Sequence, residues 1–154
     1  MIRRIHLGPW LFTFTLAKTT KVIGANSQLG KDEHILMWDF DNKPLHLIEH
    51  ELGVIQRHFE LPEIKIFKTS SGKHYQAWCY KRLTWWESKK VVASTKWVDE
   101  GFFRFGVFRG HFTLRTSSKN NQKIKLVATL PSEVPADCNE FDLMSWTKYE
   151  TLSS

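Results

Sequence analysis

Ile35-Leu36-Met37-Trp38-Asp39-Phe40-Asp41 is an apolar run that ends in two aspartates one residue apart. Near-continuous apolar character bounded by polar residues fits a buried strand, and in a strand residues i and i+2 share a face. Asp39 and Asp41 therefore project to one side while Leu36, Trp38 and Phe40 line the other. Two neighbouring carboxylates repel, at a cost in stability, unless a cation or hydrogen-bond donors compensate them. A hard divalent ion is the commonest compensation, because Mg²⁺ is usually held by one or two carboxylates together with substrate phosphates. The run points towards phosphate chemistry.

Working downstream, Asn42-Lys43-Pro44 sets up a helix start, with Asp41 or Asn42 near the N-cap and Pro44 in the first turn. Leu45, Ile48, Leu52, Ile55 and Phe59 recur at steps of three and four, predicting an amphipathic helix of about four turns that ends before Pro62. Residues 63–69 and 74–81 read as two strands joined by the tight turn Ser70-Ser71-Gly72-Lys73. Residues 84–98 read as a second helix, capped by Thr84 with Glu87 three residues on. The Phe-dense stretch 100–110 suits either a strand or a short helix. Two more strands, 111–116 and 123–130, flank a polar turn at 117–122.

Upstream, residues 10–17 alternate like a first strand, and 18–33, punctuated by Gly24, Asn26-Ser27 and Gly30, read as a loop or irregular hairpin. The order of elements predicts an α+β fold, mainly antiparallel, with helices on one sheet face and the other face open to a substrate. One domain is expected over residues 1–154, with an acidic C-terminal segment at 136–154.

Charge and composition narrow the partners. The chain has 22 Lys+Arg against 16 Asp+Glu, a formal charge of +6. Residues 136–154 hold four acids and only Lys148, so the preceding part carries 21 basic and 12 acidic residues, or +9. A basic body with seven Trp and eleven Phe suits a nucleic-acid partner, since cations neutralise phosphates and rings stack on bases. Cys79 and Cys138 are the only cysteines, which excludes a disulfide framework and a zinc-finger spacing. No stretch approaches the roughly 20 apolar residues of a membrane span. A cytoplasmic protein with no membrane partner is expected.

Each strand offers one polar row: Asp39 and Asp41, then His74 and Gln76 ahead of Trp78 and Tyr80, then His111, Thr113 and Arg115. If these rows share the open face, carboxylates would hold metal while His74, Arg115 and the strand-end Lys73 and Lys119 would take polyphosphate oxygens through charge-assisted hydrogen bonds.

In order and spacing, Asp39-Phe40-Asp41, Ser70-Ser71-Gly72-Lys73-His74, Val98-Asp99 and Leu114-Arg115-Thr116-Ser117-Ser118-Lys119 resemble the motifs of the archaeo-eukaryotic primase superfamily. These are the primase–polymerases of plasmids, phages and cellular replication, and the resemblance runs over residues 34–119. It implies a modified RNA-recognition-like (RRM-like) palm and a template-directed nucleotidyltransferase joining nucleoside triphosphates to a 3′-hydroxyl. Asp39, Asp41 and Asp99 would be the catalytic carboxylates, binding two Mg²⁺ or Mn²⁺ ions, with Glu100 the competing choice for the third. Ser71, Lys73, His74, Arg115 and Lys119 would hold the triphosphate. The implied partners are a DNA template, an RNA or DNA primer, and a further replication protein such as a helicase or accessory subunit.

Two other readings share some of these residues. A non-catalytic single-stranded nucleic-acid-binding module would stack bases on Trp78 and Tyr80, but it leaves Asp39 and Asp41 repelling phosphate. A phosphatase of the haloacid dehalogenase type also opens with an apolar strand into Asp-x-Asp. It needs a late acidic pair at a strand end, where this chain offers only Asp137 and Asp142.

Overall fold

The computed structural model describes residues 2–15, 19–69, 72–118 and 123–151, and the fold is mixed α+β with antiparallel sheets. In chain order the elements are β1 (Ile2–Leu7), β2 (Trp10–Thr15), β3 (Thr19–Asn26), β4 (Gln28–Gly30), β5 (Glu33–Asp41), α1 (Leu45–His58), β6 (Ile64–Lys68) and β7 (His74–Leu83). They continue with α2 (Trp85–Ser94), α3 (Glu100–Arg109), β8 (Thr113–Arg115), β9 (Lys125–Leu130), a 3-10 turn at Glu140–Asp142, and β10 (Ser145–Thr151).

The Ile35–Asp41 run forms most of β5, which sits inside a five-stranded sheet of order β4-β5-β7-β6-β9. Its two rows separate as the alternation requires. Leu36, Trp38 and Phe40 are fully buried opposite Cys79, Ala77 and Tyr75 of β7. This is the helix-covered face: Trp38 Nε1 donates to Thr95 Oγ1 just past α2 at 2.9 Å, and Ile48, Leu52 and Ile55 of α1 join the same core. Fully burying each such side chain is worth roughly 1.5–3 kcal/mol, so this row anchors the strand's register.

The helices start where local chemistry allows. Thr84 and Glu87 form the expected capping box, Thr84 N–H donating to Glu87 Oε2 at 2.9 Å and Glu87 N–H to Thr84 Oγ1 at 3.3 Å. α2 stops at Ser94, short of the expected 98, because the chain turns through Trp97 at φ 64°. The Phe-dense stretch is the helix α3, with Asp99 at its N-cap. α1 lacks a side-chain cap: Pro44 holds the N-cap position and Asn42, at φ 59°, turns the chain out of the strand, a conformation Asn tolerates better than most residues.

Two expectations for the N-terminal third need correction. The strand expected at 10–17 is β2, and it pairs with the unforeseen β1 in a separate hairpin; Leu16 and Ala17 lie outside the described residues. Arg3, Ile5 and Leu7 of β1 share one face with Trp10, Phe12 and Phe14 of β2, and all of these are exposed. The stretch expected to be a loop at 18–33 contains β3, the central strand of a second sheet ordered β10-β3-β8. Gly24 is the source of the difference. A Cβ there would come within 2.3 Å of the Trp146 ring and 2.5 Å of the Leu114 carbonyl, so this glycine permits close approach of β10 and β8 and makes no turn.

The second sheet also changes the face expected to be open. Ala25 of β3 and Leu114 of β8 share one apolar core with Ile35 and Met37 of β5, so the sheet roofs part of that face. The carboxylate end of β5 remains accessible. Gly24→Ala should loosen this arrangement, costing about 1–3 kcal/mol as overpacking does. A fall in the urea midpoint with an unchanged slope would show it, whereas a parental midpoint would mean that Trp146 is free to move aside. Among the described residues no helix is long and apolar enough to cross a membrane.

Candidate active site

The antiparallel register of β5 and β7 sets Asp41 opposite His74 and Asp39 opposite Gln76. The first pair is in direct contact, His74 Nδ1 lying 2.5 Å from Asp41 Oδ1 with both side chains partly exposed. Facing them from the second sheet are Arg115, at the end of β8, and Ser117 just beyond it. These six residues line most of a cleft of about 260 Å³, completed by Thr69 and Ile124. Arg115 is oriented by its own loop, Nε donating to Ser117 Oγ at 3.2 Å and a terminal nitrogen to the Ser118 carbonyl at 3.1 Å.

Asp39 is the group most altered by its surroundings. Burial, followed by the charges of Asp41 and Asp99, pushes its carboxyl up to about 7, against smaller opposing contributions from His74 and the Phe40 amide. Desolvation disfavours the charged form and like charges add to it. At neutral pH the carboxyl is thus poised between its protonated and ionised forms, and a nearby cation would favour ionisation.

Asp99 approaches by its backbone, its N–H donating to the Asp39 carbonyl at 2.8 Å. Its side chain is engaged as the cap of α3, Oδ1 accepting from Phe102 N–H at 2.6 Å. It does not line the cleft, although its charge acts on Asp39. Glu100 is turned to solvent in a 2.6 Å ion pair with Arg104. Lys73 is exposed in the turn before β7 and does not line the cleft either. Ser71 and Lys119 lie outside the described residues.

Among the described residues no group of three or more His, Cys, Asp or Glu side chains is arranged to hold a metal ion. The carboxylates of Asp39 and Asp41 are the two acidic groups lining the cleft, and a hard cation held by so few protein ligands takes its remaining oxygens from a substrate and water. The strand alternation and the motif of Arg115 singled out Asp39, Asp41, His74 and Arg115, and the structure brings these four to one cleft. The expected route for Arg115 was different: it belongs to the second sheet and reaches the site from across the cleft. Gln76 was visible only as one member of a row. Its distinguishing property is structural, since its Oε1 is buried with no hydrogen-bond partner.

No protein-family model matches the chain, and no match was found among curated proteins or solved structures.

Proposed function

We propose that the chain is a metal-dependent nucleotidyltransferase of the primase–polymerase type, joining nucleoside triphosphates to a primer 3′-hydroxyl on a DNA template. The observation that carries this reading is a carboxylate pair, one member raised to about 7, facing an arginine across a narrow cleft. Such a pair is costly in isolation, and the cost is relieved when a cation and an anionic substrate enter together. The order β5-α1-β6-β7-α2, with β7 lying between β5 and β6, agrees with the RRM-like palm that the sequence resemblance implies.

The residues divide the work by chemistry. Asp39 and Asp41 would hold Mg²⁺ or Mn²⁺, which supplies Lewis-acid charge to a phosphoryl group when bound. Arg115 donates to phosphate oxygens through a fork already oriented by Ser117, limiting the entropy lost on binding. His74 has Nδ1 engaged by Asp41, which leaves Nε2 to face a phosphate oxygen. Together they hold the triphosphate in line for attack, and positioning supplies much of the catalysis in phosphoryl transfer. A further replication protein, the partner that the sequence resemblance implies, would assist template handling.

The direct test is incubation of the purified chain with Mn²⁺, labelled nucleoside triphosphates and a primed template, where extension is expected. Absence of extension together with metal-independent binding of single strands would select the non-catalytic module instead. Arg115→Ala and His74→Ala should each raise the KM for nucleotide about ten- to a hundredfold, the worth of a charged phosphate contact, while leaving primer–template affinity near parental. Weaker DNA binding with unchanged KM would move both residues into a nucleic-acid groove.

A further inference from the structure

The hairpin β1–β2 stands outside the core: no residue of either strand belongs to the buried cluster built by β5, α1 and their neighbours. Its strands are joined by the two-residue loop Gly8-Pro9, with Gly8 at φ 58°, the form in which a leading glycine matches the twist of paired strands. The cross-strand pairs Leu7–Trp10, Ile5–Phe12 and Arg3–Phe14 share one face, so three rings stand in a row, and Trp10, Phe12 and Phe14 are 70%, 46% and 61% exposed. At roughly 150–250 Å² for a whole aromatic side chain, the rings alone present on the order of 300–400 Å² of apolar surface, a size at which such a patch marks a contact site.

The hairpin also begins the most one-sidedly charged part of the chain. Residues 1–31 contain Arg3, Arg4, Lys18, Lys21 and Lys31 and not one acid, the first being Asp32, while the remaining residues hold 17 basic and 16 acidic side chains. Nearly all of the net charge of +6 therefore lies in this first segment. A partner rich in negative charge and able to cover rings satisfies both features.

We propose that the exposed face of the hairpin binds a single nucleic-acid strand, its bases stacking on Trp10, Phe12 and Phe14 and its phosphates pairing with Arg3. The proposal extends the reading of the chain as a template-directed enzyme by naming a surface for the unpaired strand. Alternate residues of a β-strand lie roughly 6.8 Å apart, twice the roughly 3.4 Å repeat of a nucleic-acid strand, which leaves room for one base between successive rings. Stacking of this kind accepts any base and so leaves sequence to the template. Other occupants fit less well. A second copy would set two wholly basic segments against each other. A lipid surface would take the hairpin by its tip, whereas the row runs from Trp10 at the turn to Phe14 beside Arg3.

Fluorescence anisotropy of a labelled oligothymidylate with the full chain in metal-free buffer tests this. Phe12→Thr and Phe14→Thr each remove a ring and keep a β-branched residue in the strand. Each should weaken binding about five- to a hundredfold, the worth of one stacked base, and melt at the parental temperature, since the hairpin lies outside the core. Arg3→Gln, which leaves the rings in place, should lower the slope of log affinity against log salt by about 0.7, the share of one phosphate contact on a single strand. Parental affinity in both threonine variants overturns the proposal. Loss of self-association in sedimentation would then assign the hairpin to a second copy, and loss of binding to phosphatidylserine vesicles to a lipid surface. Primer extension by the parent alongside that result leaves the carboxylate cleft standing. Hairpin-dependent strand binding without extension supports the hairpin and removes the reading of the cleft.

Discussion

Asp39→Asn should melt at a higher temperature than the parent at pH 8 in metal-free buffer while losing nucleotidyl transfer by about a thousandfold or more. The stability half follows from linkage. The Asp39 carboxyl is held at about 7 in the folded chain, above the value near 3.9 of an unfolded aspartate, so the folded state keeps its proton more strongly. Stability conferred by that proton is complete below the unfolded value and is lost as pH rises through the folded one. Above pH 7 the ionised form carries the full penalty, about 2–4 kcal/mol. A neutral asparagine avoids it, so the gain should be largest at pH 8, smaller at pH 5 and absent near pH 4. Mn²⁺ should raise the melting temperature of the parent and leave the variant unmoved. The activity half follows, on the proposed reading, from losing one of the two carboxylates that would hold the cation, whose Lewis-acid charge is worth several kcal/mol in the transition state. A variant that is no more stable at pH 8, or whose gain is the same at every pH, would contradict the account of burial and repulsion. Retained activity would remove Asp39 from the metal site.

What could be read from the chain, and what could not, divides by sequence distance. β5, α1 and the β6–β7 hairpin were legible because their periodicities and turn residues are local, and the capping box of α2 spans only three residues. Of the second sheet only β8, within the strand expected at 111–116, was legible. β3 pairs with β8 and β10, both far along the chain, and its most visible punctuation, Gly24, reflects the Trp146 ring and carries no turn signal. The hairpin β1–β2 was legible only in part: the alternation of residues 10–17 reads as a strand, and β2 is one, but the pairing with β1 and the exposure of Trp10 at 70% and Phe14 at 61% were not foreseen. At the site, alternation alone put Asp39 and Asp41 on one face with His74 in the neighbouring row. Arg115 came from its motif, and its arrival from another sheet depended on the long-range pairing that periodicity does not encode. Gln76 was legible only as a member of the polar row of its strand, because its missing hydrogen-bond partner leaves no mark in the sequence.

Asp99 separates a structural role from a chemical one, and three substitutions there should not behave alike. Its Oδ1 caps α3 through Phe102 N–H, and asparagine and serine serve as well as aspartate at an N-cap, whereas alanine costs about 0.5–2 kcal/mol. Asp99→Asn and Asp99→Ser should therefore unfold near the parental urea midpoint, and Asp99→Ala should unfold earlier. If the carboxylate also contributes charge to the metal site beside Asp39, both capping variants should lose most extension activity and need more Mn²⁺ for half-maximal rate. A neutral group is a poorer partner for a hard cation. Glu100→Gln is the internal control. Glu100 is turned towards Arg104 on an exposed surface, where an ion pair is worth little, so this variant should be close to parental in both measurements. Parental activity in Asp99→Asn with a loss of stability only in Asp99→Ala would make Asp99 a helix cap and nothing more. The cation would then rest on Asp39, Asp41 and the oxygens of the substrate.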